Sequence, residues 1–182
     1  FFELCRATII GVTGSKGKST VASLIALMLK KKYKRVLLAG NIRKSVFDIL
    51  PKVRKNSLVV LELSSWQLED LARHSPSHLF NYTGTPNFTK NVVPQQYRNK
   101  TTKFSRKRWE GKKSPHVAVI TNILHEHLNK YKNFAAYKKA KSLITRYQTK
   151  DDYLVVNKND VSLRRIAKTT RAGWFLFIYV AY

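Results

Sequence analysis

The run at residues 14–19 (GSKGKS) most constrains how this chain can fold, because of the sequence on either side of it. An apolar run at residues 7–12 precedes it, and an amphipathic stretch begins at Ser19. Backbone amides in a glycine loop between a strand and a helix N-terminus are suited to bind phosphate. Lys18 can then reach the outer phosphates of a nucleotide, and the Ser19 hydroxyl can ligate Mg²⁺. The run therefore predicts a nucleotide-binding protein.

The loop departs from the usual phosphate-loop pattern, which has a glycine where this chain has Val12. A glycine turn with Ser19 as an ordinary helix cap would give the same residues. We favour phosphate binding because an apolar strand and a helix flank the loop. The residues expected to contact the nucleotide phosphates are Gly14, Ser15, Lys16, Gly17, Lys18, Ser19 and Thr20.

Composition indicates one globular domain with its own core, since the chain has 182 residues and is 43% apolar. The single cysteine, Cys5, excludes an internal disulfide and a cysteine metal cluster, and it favours a reducing cytoplasm. The longest apolar run, residues 174–180, is far shorter than the roughly 20 residues of a membrane-spanning helix. It predicts a strand, and we expect no membrane partner.

The chain is strongly basic, with 35 Lys and Arg against 10 Asp and Glu and a formal net charge of +25. Such an excess would attract nucleic acid, anionic lipid or nucleotide phosphates. A general lysine bias on solvated faces would produce the same excess. The basic residues are spread along the chain, which favours this second explanation, so nucleic acid is not the expected partner.

Apolar runs and amphipathic stretches alternate along the chain, and this alternation predicts an α/β fold with a doubly wound, mostly parallel sheet. Val21, Leu24, Ile25 and Met28 recur at helical spacing and predict a buried helix after the loop. The other predicted elements are strands at 35–39, 57–63, 117–121 and 153–156 and a helix at 134–148. Five polar residues fall at or beyond strand ends: Ser19, Asn41, Glu62, Asn122 and Asn157.

Residues 77–115 break this alternation, because they have no sustained strand or helix period. A structureless loop of that length is improbable inside a compact domain. Ser-Pro pairs at 75–76 and 114–115 frame the segment, and its removal would leave a normal helix-to-strand connection. We therefore interpret residues 1–182 as a single domain carrying an irregular insertion at 77–115, or a reading or assembly fault there.

Glu62 ends a predicted buried strand, so its carboxylate is expected in the same strand-end crevice as the phosphate loop. Mg²⁺ prefers oxygen ligands and takes few of them from protein, so Ser19 and Glu62 together could fix one ion on the nucleotide. A plain ion pair between Glu62 and Lys18 is the alternative. We favour the metal because other phosphate-loop enzymes have the loop and an acidic strand end in this order.

A second polar cluster follows the strand predicted at 117–121 and includes His125 and His127. Two residues that lie two apart cannot share one helix face, so at most one of these histidines points inward. Taken alone, either histidine is more often structural or solvated than a ligand.

Several segments, in order and spacing, resemble the central domain of the Mur ligases. They are residues 13–19, 40–42, 62–69, 121–122, 126–127 and Lys141. The string at 62–69 (ELSSWQLE) is most similar to the branch that adds D-glutamate to UDP-N-acetylmuramoyl-L-alanine in peptidoglycan synthesis. The resemblance runs from about residue 9 to about residue 160.

The resemblance implies roles for individual residues. Lys18 and the loop backbone would hold the phosphates of ATP, and Lys141 matches the lysine that the family carbamylates into an anionic metal-site group. The implied catalytic residues are Lys18, Glu62, His127 and Lys141. The implied Mg²⁺ ligands are Ser19 and Glu62, with His127 and Lys141 at a second ion. Asn41 and Ser64 would lie near the substrate, Asn157 near the adenine, and Asp160 is a weaker candidate in the same stretch.

The implied reaction is an ATP-dependent ligation, in which a carboxylate becomes an acyl phosphate and an amine then attacks it to give an amide. The resemblance covers only the family's central domain, and we expect its N-terminal UDP-binding and C-terminal amino-acid-binding domains to be absent. We therefore expect an inactive fragment of a monomeric, cytoplasmic enzyme. Arg43 stands where the family commonly has a glycine, and Asn129 stands where it often has an aspartate. We expect these changes to affect the fit of the substrate more than the binding of the nucleotide. The alternatives are a basic nucleic-acid-binding module on a Mur-like fold and a folylpolyglutamate or cyanophycin-type ligase.

Overall fold

The computed structural model of the chain describes residues 1–2, 4–42, 44–73, 114–126 and 130–177. Six strands form one sheet: β1 (Thr8–Thr13), β2 (Val36–Gly40), β3 (Leu58–Glu62), β4 (Val117–Ile120), β5 (Tyr153–Asn157) and β6 (Gly173–Phe177). Within the described residues, five α-helices accompany it: α1 (Lys18–Lys30), α2 (Val46–Ile49), α3 (Ser65–Arg73), α4 (Phe134–Ser142) and α5 (Val161–Thr169). Two 3₁₀ turns, Leu50–Lys52 and Leu143–Thr145, continue α2 and α4.

The sheet has the strand order β2-β3-β1-β4-β5-β6, and every pairing between these strands is parallel. Strands β1 and β3 are buried almost throughout, as expected for parallel strands that are covered on both faces. The predicted α/β fold with a parallel sheet is confirmed. For β1 to β5, each observed strand boundary differs from the predicted one by at most one residue.

Helices cover both faces of the sheet, and the chain changes face next to β1. Ala22 and Ala26 of α1 pack on one face, against Val12 and Val60. Tyr137 of α4, like α3 and α5, packs in the larger cluster on the opposite face. The connections after β1 and β4 therefore lead to opposite faces, which opens a crevice at the carboxyl ends of these two adjacent strands.

Helix α1 lies on the sheet with a different face from the predicted one. Ala22 and Ala26 are buried, whereas Leu24 and Met28 are 53% and 70% exposed. Val21 and Ile25 pack only partly against the core. Small alanine side chains allow the helix to approach the sheet closely, and Leu24 and Met28, each two positions after a buried alanine, point outward. The predicted burial of Leu24 and Met28 is wrong.

Helix α4 ends at Ser142, short of the predicted end at 148, because the chain tightens into the 3₁₀ turn Leu143–Thr145. Nearly all of the insertion predicted at 77–115 lies outside the described residues, as do residues 178–180 of the last predicted strand. In the part of the chain that the structure describes, no helix has both the length and the apolarity needed to cross a bilayer.

Candidate functional site

The phosphate loop connects β1 to α1 at the crevice between β1 and β4. Gly14 and Gly17 both have positive φ, at 149° and 77°. A side chain at Gly14 would collide with Thr121, since a Cβ there would lie 2.0 Å from the Thr121 hydroxyl oxygen. Gly17 is the N-cap of α1 and has open space around it. The two glycines therefore allow the chain to turn into the helix while passing close to the segment after β4.

The N-terminus of α1 is open. No side chain caps it, and the amides of Lys18, Ser19 and Thr20 have no hydrogen-bond partner within the described residues. Lys18 folds back over the loop, where its Nζ donates to the carbonyl oxygen of Ser15 at 2.7 Å. An uncapped helix start with an adjacent lysine is favourable for an anion, because the open amides and the helix dipole both present positive charge.

Glu62 lies beside this helix start at the end of β3. Its side chain is 2% exposed, and its Oε2 accepts a 2.7 Å hydrogen bond from the Ser19 hydroxyl. Its Oε1 accepts a longer bond, of 3.3 Å, from the Asn41 side-chain amide. The structure thus brings together three predicted site residues, from the start of α1 and from the ends of β2 and β3. Glu62 pairs with Ser19 and Asn41 here, and no ion pair joins it to Lys18 among the described residues.

Lys141 reaches the same loop from the opposite face of the sheet. It is 2% exposed, and its Nζ donates to the carbonyl oxygen of Gly14 at 2.7 Å. Burial, followed by the neighbouring Lys18 cation, lowers the pKa of Lys141 to about 8, although Glu126 and Glu62 partly oppose the shift. A buried lysine of this kind is neutral far more often than an exposed one.

The structure also brings in residues to which the sequence analysis gave no role. The side chains of Thr121 and Asn122 hydrogen-bond the backbone of Lys16. The buried Ser15 hydroxyl shares a 3.0 Å hydrogen bond with the hydroxyl of Tyr137 on α4. The position of Thr121 and Asn122, a polar pair directly after a buried strand, is the sequence feature that could have identified them as site residues.

Other predicted residues have local structural partners. Ser64 and Gln67 exchange hydrogen bonds as a capping box at the start of α3. Asp160 caps α5 by accepting from two backbone amides, and Asn157 accepts from the Asn159 amide in a turn after β5. The predicted substrate and adenine roles of Ser64 and Asn157 stay predictions.

Of the two histidines in the second polar cluster, the structure describes His125. The His125 ring stacks on Phe134, with 3.7 Å between ring centroids. His127 lies outside the described residues. Its neighbour Glu126 forms an ion pair with Lys16 of the loop, with 3.8 Å between nitrogen and oxygen. Within the described residues, no group of three or more His, Cys, Asp or Glu side chains is placed to hold a metal.

Comparison with protein families gives a match to the Mur ligase middle domain, over residues 12–91 and 99–178. The match covers most of the chain and includes the phosphate loop, Glu62 and Lys141. It extends into residues 77–115, whose status as an insertion stays a prediction.

Curated relatives include two bacterial proteins named UDP-N-acetylmuramoylalanine–D-glutamate ligase. The one from Symbiobacterium thermophilum is 31% identical over 175 residues, which are 96% of this chain and 30% of the relative. The one from Acetivibrio thermocellus is 34% identical over 163 residues, 89% of this chain and 26% of the relative. The chain therefore spans about a third or less of the length of these relatives.

Solved structures with a similar fold include the MurF ligase from Thermotoga maritima in complex with ADP. It superposes with a TM-score of 0.61 and 21% identity, over 94% of this chain and 32% of that one. A MurF structure from Acinetobacter baumannii superposes with a TM-score of 0.59 and 22% identity, over 96% of this chain and 32% of that one. These structures share the fold, and the sequence match over residues 12–91 and 99–178 shows that this chain belongs to the Mur ligase family, in its middle domain.

Proposed function

We propose that this chain is the ATP- and Mg²⁺-binding part of a peptidoglycan-precursor ligase that joins D-glutamate to UDP-N-acetylmuramoyl-L-alanine through an acyl phosphate. Family membership supports an ATP-dependent ligation, and the names of the curated relatives support D-glutamate as the amino acid. The chain spans only part of those relatives, so the two substrates belong to a longer enzyme. We place that enzyme in the cytoplasm, as a monomer.

The observation that carries this proposal is the pairing of Glu62 with Ser19 at an uncapped helix start. The hydroxyl and the carboxylate lie 2.7 Å apart, next to the open amides of Lys18, Ser19 and Thr20. The amides beside this oxygen pair lack hydrogen-bond partners, which is unfavourable for the protein alone. A bound phosphate group would accept hydrogen bonds from these amides.

The residues present fit Mg²⁺. Ser19 and Glu62 offer one hydroxyl oxygen and a buried carboxylate, which are the hard oxygen ligands that this ion prefers, and so few protein ligands leave room for water and phosphate oxygens. We assign a first Mg²⁺ to Ser19 and Glu62 and a second one to His127 and Lys141. The ions would supply positive charge against the phosphate oxygens.

Lys141 has the environment that carbamylation needs. Only a neutral amine attacks CO₂, and a pKa of about 8 leaves a sizeable neutral fraction near physiological pH. Carbamylation would turn this buried cation into an anionic oxygen group, which could serve as a ligand for the second Mg²⁺. We therefore include Lys141 in the catalytic set with Lys18, Glu62 and His127.

The remaining assignments follow the positions of strand ends. Asn41 and Ser64 lie after β2 and β3 and are proposed to face the UDP-linked substrate, and Asn157 after β5 is proposed to face the adenine. The chain's own residues position the reactants and balance their charge, so most of the acceleration would come from orientation and electrostatics. No nucleic-acid or membrane partner is part of this proposal.

The test is calorimetric titration of the 182-residue chain with Mg-ATP and Mg-ADP. We expect binding by the wild-type chain and a loss of roughly tenfold or more in Lys18→Ala, because a charge-assisted contact to phosphate is removed. Lys150→Ala is the matched control, since Lys150 is exposed in the turn before β5. Absence of binding by the wild-type chain, or equal affinity in Lys18→Ala, would overturn the proposal.

A further inference from the structure

Two residues directly after β4 hold the phosphate loop by one of its residues, Lys16. The Asn122 side chain accepts from the Lys16 amide at 2.9 Å and donates to the Lys16 carbonyl oxygen at 3.2 Å. The Thr121 hydroxyl donates to the same carbonyl oxygen at 2.7 Å. We name these two residues the Thr121–Asn122 clamp. It binds both backbone polar groups of one loop residue from a neighbouring strand.

Backbone contacts extend the clamp to the residues before Lys16. The Ser15 amide donates to the carbonyl oxygen of Asn122 at 3.0 Å, and the Ser15 hydroxyl accepts from the Leu124 amide at 2.9 Å. Gly14 passes so close to the Thr121 hydroxyl that a side chain has no room there. The first half of the loop is therefore fixed in the protein without a nucleotide.

The clamp divides the amides of the loop into two groups. The amides of Ser15 and Lys16 are occupied by the clamp. Those from Gly17 to Thr20 have no partner within the described part of the chain. A phosphate loop with all amides free would have to be ordered when the nucleotide binds, which weakens binding. Here the clamp already orders Ser15 and Lys16, and the free amides of residues 17–20 are left to bind the anion.

We propose that Asn122, assisted by Thr121, is a positioning residue for the nucleotide: it fixes Lys16 so that the amides of residues 17–20 and the Lys18 ammonium converge on the phosphates. The inference rests on the proposed nucleotide-binding function and adds a residue to it. Asn122 touches the loop and not the nucleotide. Its side chain suits this role because an amide both donates and accepts, which matches the two backbone groups of Lys16.

The experiment compares Asn122→Ala with the wild-type chain and with a control variant, Asn56→Ala. Asn56 is exposed in the turn before β3, at the amino ends of the strands and away from the loop. Calorimetry gives the affinity for Mg-ADP, and amide hydrogen exchange of the nucleotide-free protein reports each loop amide. We expect roughly tenfold weaker binding in Asn122→Ala, from two lost hydrogen bonds. We also expect the Lys16 amide to lose its protection while the thermal midpoint changes little.

Two further variants keep the proposal testable if Asn122→Ala folds poorly. Asn122→Asp retains the acceptor and should restore the protection of the Lys16 amide. Thr121→Val removes only the hydroxyl at nearly constant shape, and it should weaken Mg-ADP binding several-fold.

The outcomes separate this inference from the proposed function. The positioning role of Asn122 is supported if nucleotide binding is weaker and the Lys16 amide loses its protection from hydrogen exchange. Unchanged affinity in Asn122→Ala and Thr121→Val, with normal binding by the wild-type chain, overturns the positioning role and leaves the proposed function standing. A loss of affinity without any change at the Lys16 amide also overturns it. A wild-type chain that binds no nucleotide overturns the proposed function, and this inference with it.

Discussion

The Nζ of Lys141 lies 2.7 Å from the carbonyl oxygen of Gly14, a residue 127 positions earlier in the chain. This bond joins α4 to the phosphate loop across the carboxyl end of β1. Thr13 contributes a second, longer contact to the same nitrogen at 3.5 Å. The buried ammonium is therefore held by neutral oxygens, and a lysine in this position should make the protein's stability depend on pH.

Lys141→Met should remove a pH-dependent part of the stability. The Lys141 pKa is about 8 in the folded chain against 10.5 in the unfolded one, so the unfolded state binds more protons between these values. The free energy of unfolding of the wild-type chain should then rise with pH in this window, by about 1.4 kcal/mol per pH unit at most. The variant should lack this rise.

Urea unfolding of both chains between about pH 8 and pH 10, in metal-free and CO₂-depleted buffer, measures the difference. Other titrating groups are shared by the two chains and cancel. A difference in stability that stays constant across this pH window would contradict the burial of a lysine ammonium at this site.

Alanine at Gly14 and alanine at Gly17 should have unequal costs. Both glycines have positive φ, which costs roughly 1 kcal/mol for alanine. At Gly14 the new Cβ also meets the Thr121 hydroxyl at 2.0 Å, so the loop or the segment after β4 must shift, at an added cost of about 1 to 3 kcal/mol. Chemical denaturation of the two variants measures this. Equal losses would show that the loop is not packed against Thr121.

Glu62→Gln should reduce the effect of Mg²⁺ on nucleotide binding. The substitution keeps the size of the side chain and one acceptor oxygen for Asn41, and its new NH₂ group can donate to the Ser19 hydroxyl, but it removes the charge that we assign to the ion. We expect the ratio of Mg-ADP affinity to metal-free ADP affinity to fall by roughly tenfold. Asp151→Asn, at an exposed turn, is the control. An unchanged ratio would remove Glu62 from the proposed metal site.

The strands of the sheet could be predicted because β1, β3 and β4 are short apolar runs, and only a strand covered on both faces of a sheet buries such a run. The pairing of Ser19 with Glu62 follows from the same pattern, since neighbouring parallel strands end at one edge. Each prediction used a period or a position that the sequence displays directly.

The Thr121–Asn122 clamp and the cap at Ser64 could not be predicted in the same way. The hydrogen bonds of the clamp join residues more than 100 positions apart, and their geometry depends on the register of β4 beside β1. Ser64 stands at a strand end that suits a substrate contact, yet Gln67 three residues later makes it equally suited to a capping box. A polar residue after a strand identifies the site, whereas its partner depends on tertiary packing.

The orientation of α1 is the least predictable feature, and two leucines test it. Leu24 and Leu163 have the same side chain, but Leu24 on α1 is 53% exposed and Leu163 on α5 is fully buried. Leu163→Ala should lower the free energy of unfolding by about 2 to 5 kcal/mol, because it leaves a cavity under the helix. Leu24→Ala should cost about 0.5 kcal/mol or less, since alanine is a good helix former and little packing is lost. Urea denaturation of the two variants gives both values, and a loss above about 2 kcal/mol for Leu24→Ala would mean that α1 lies on the sheet with the leucine face that its periodicity predicted.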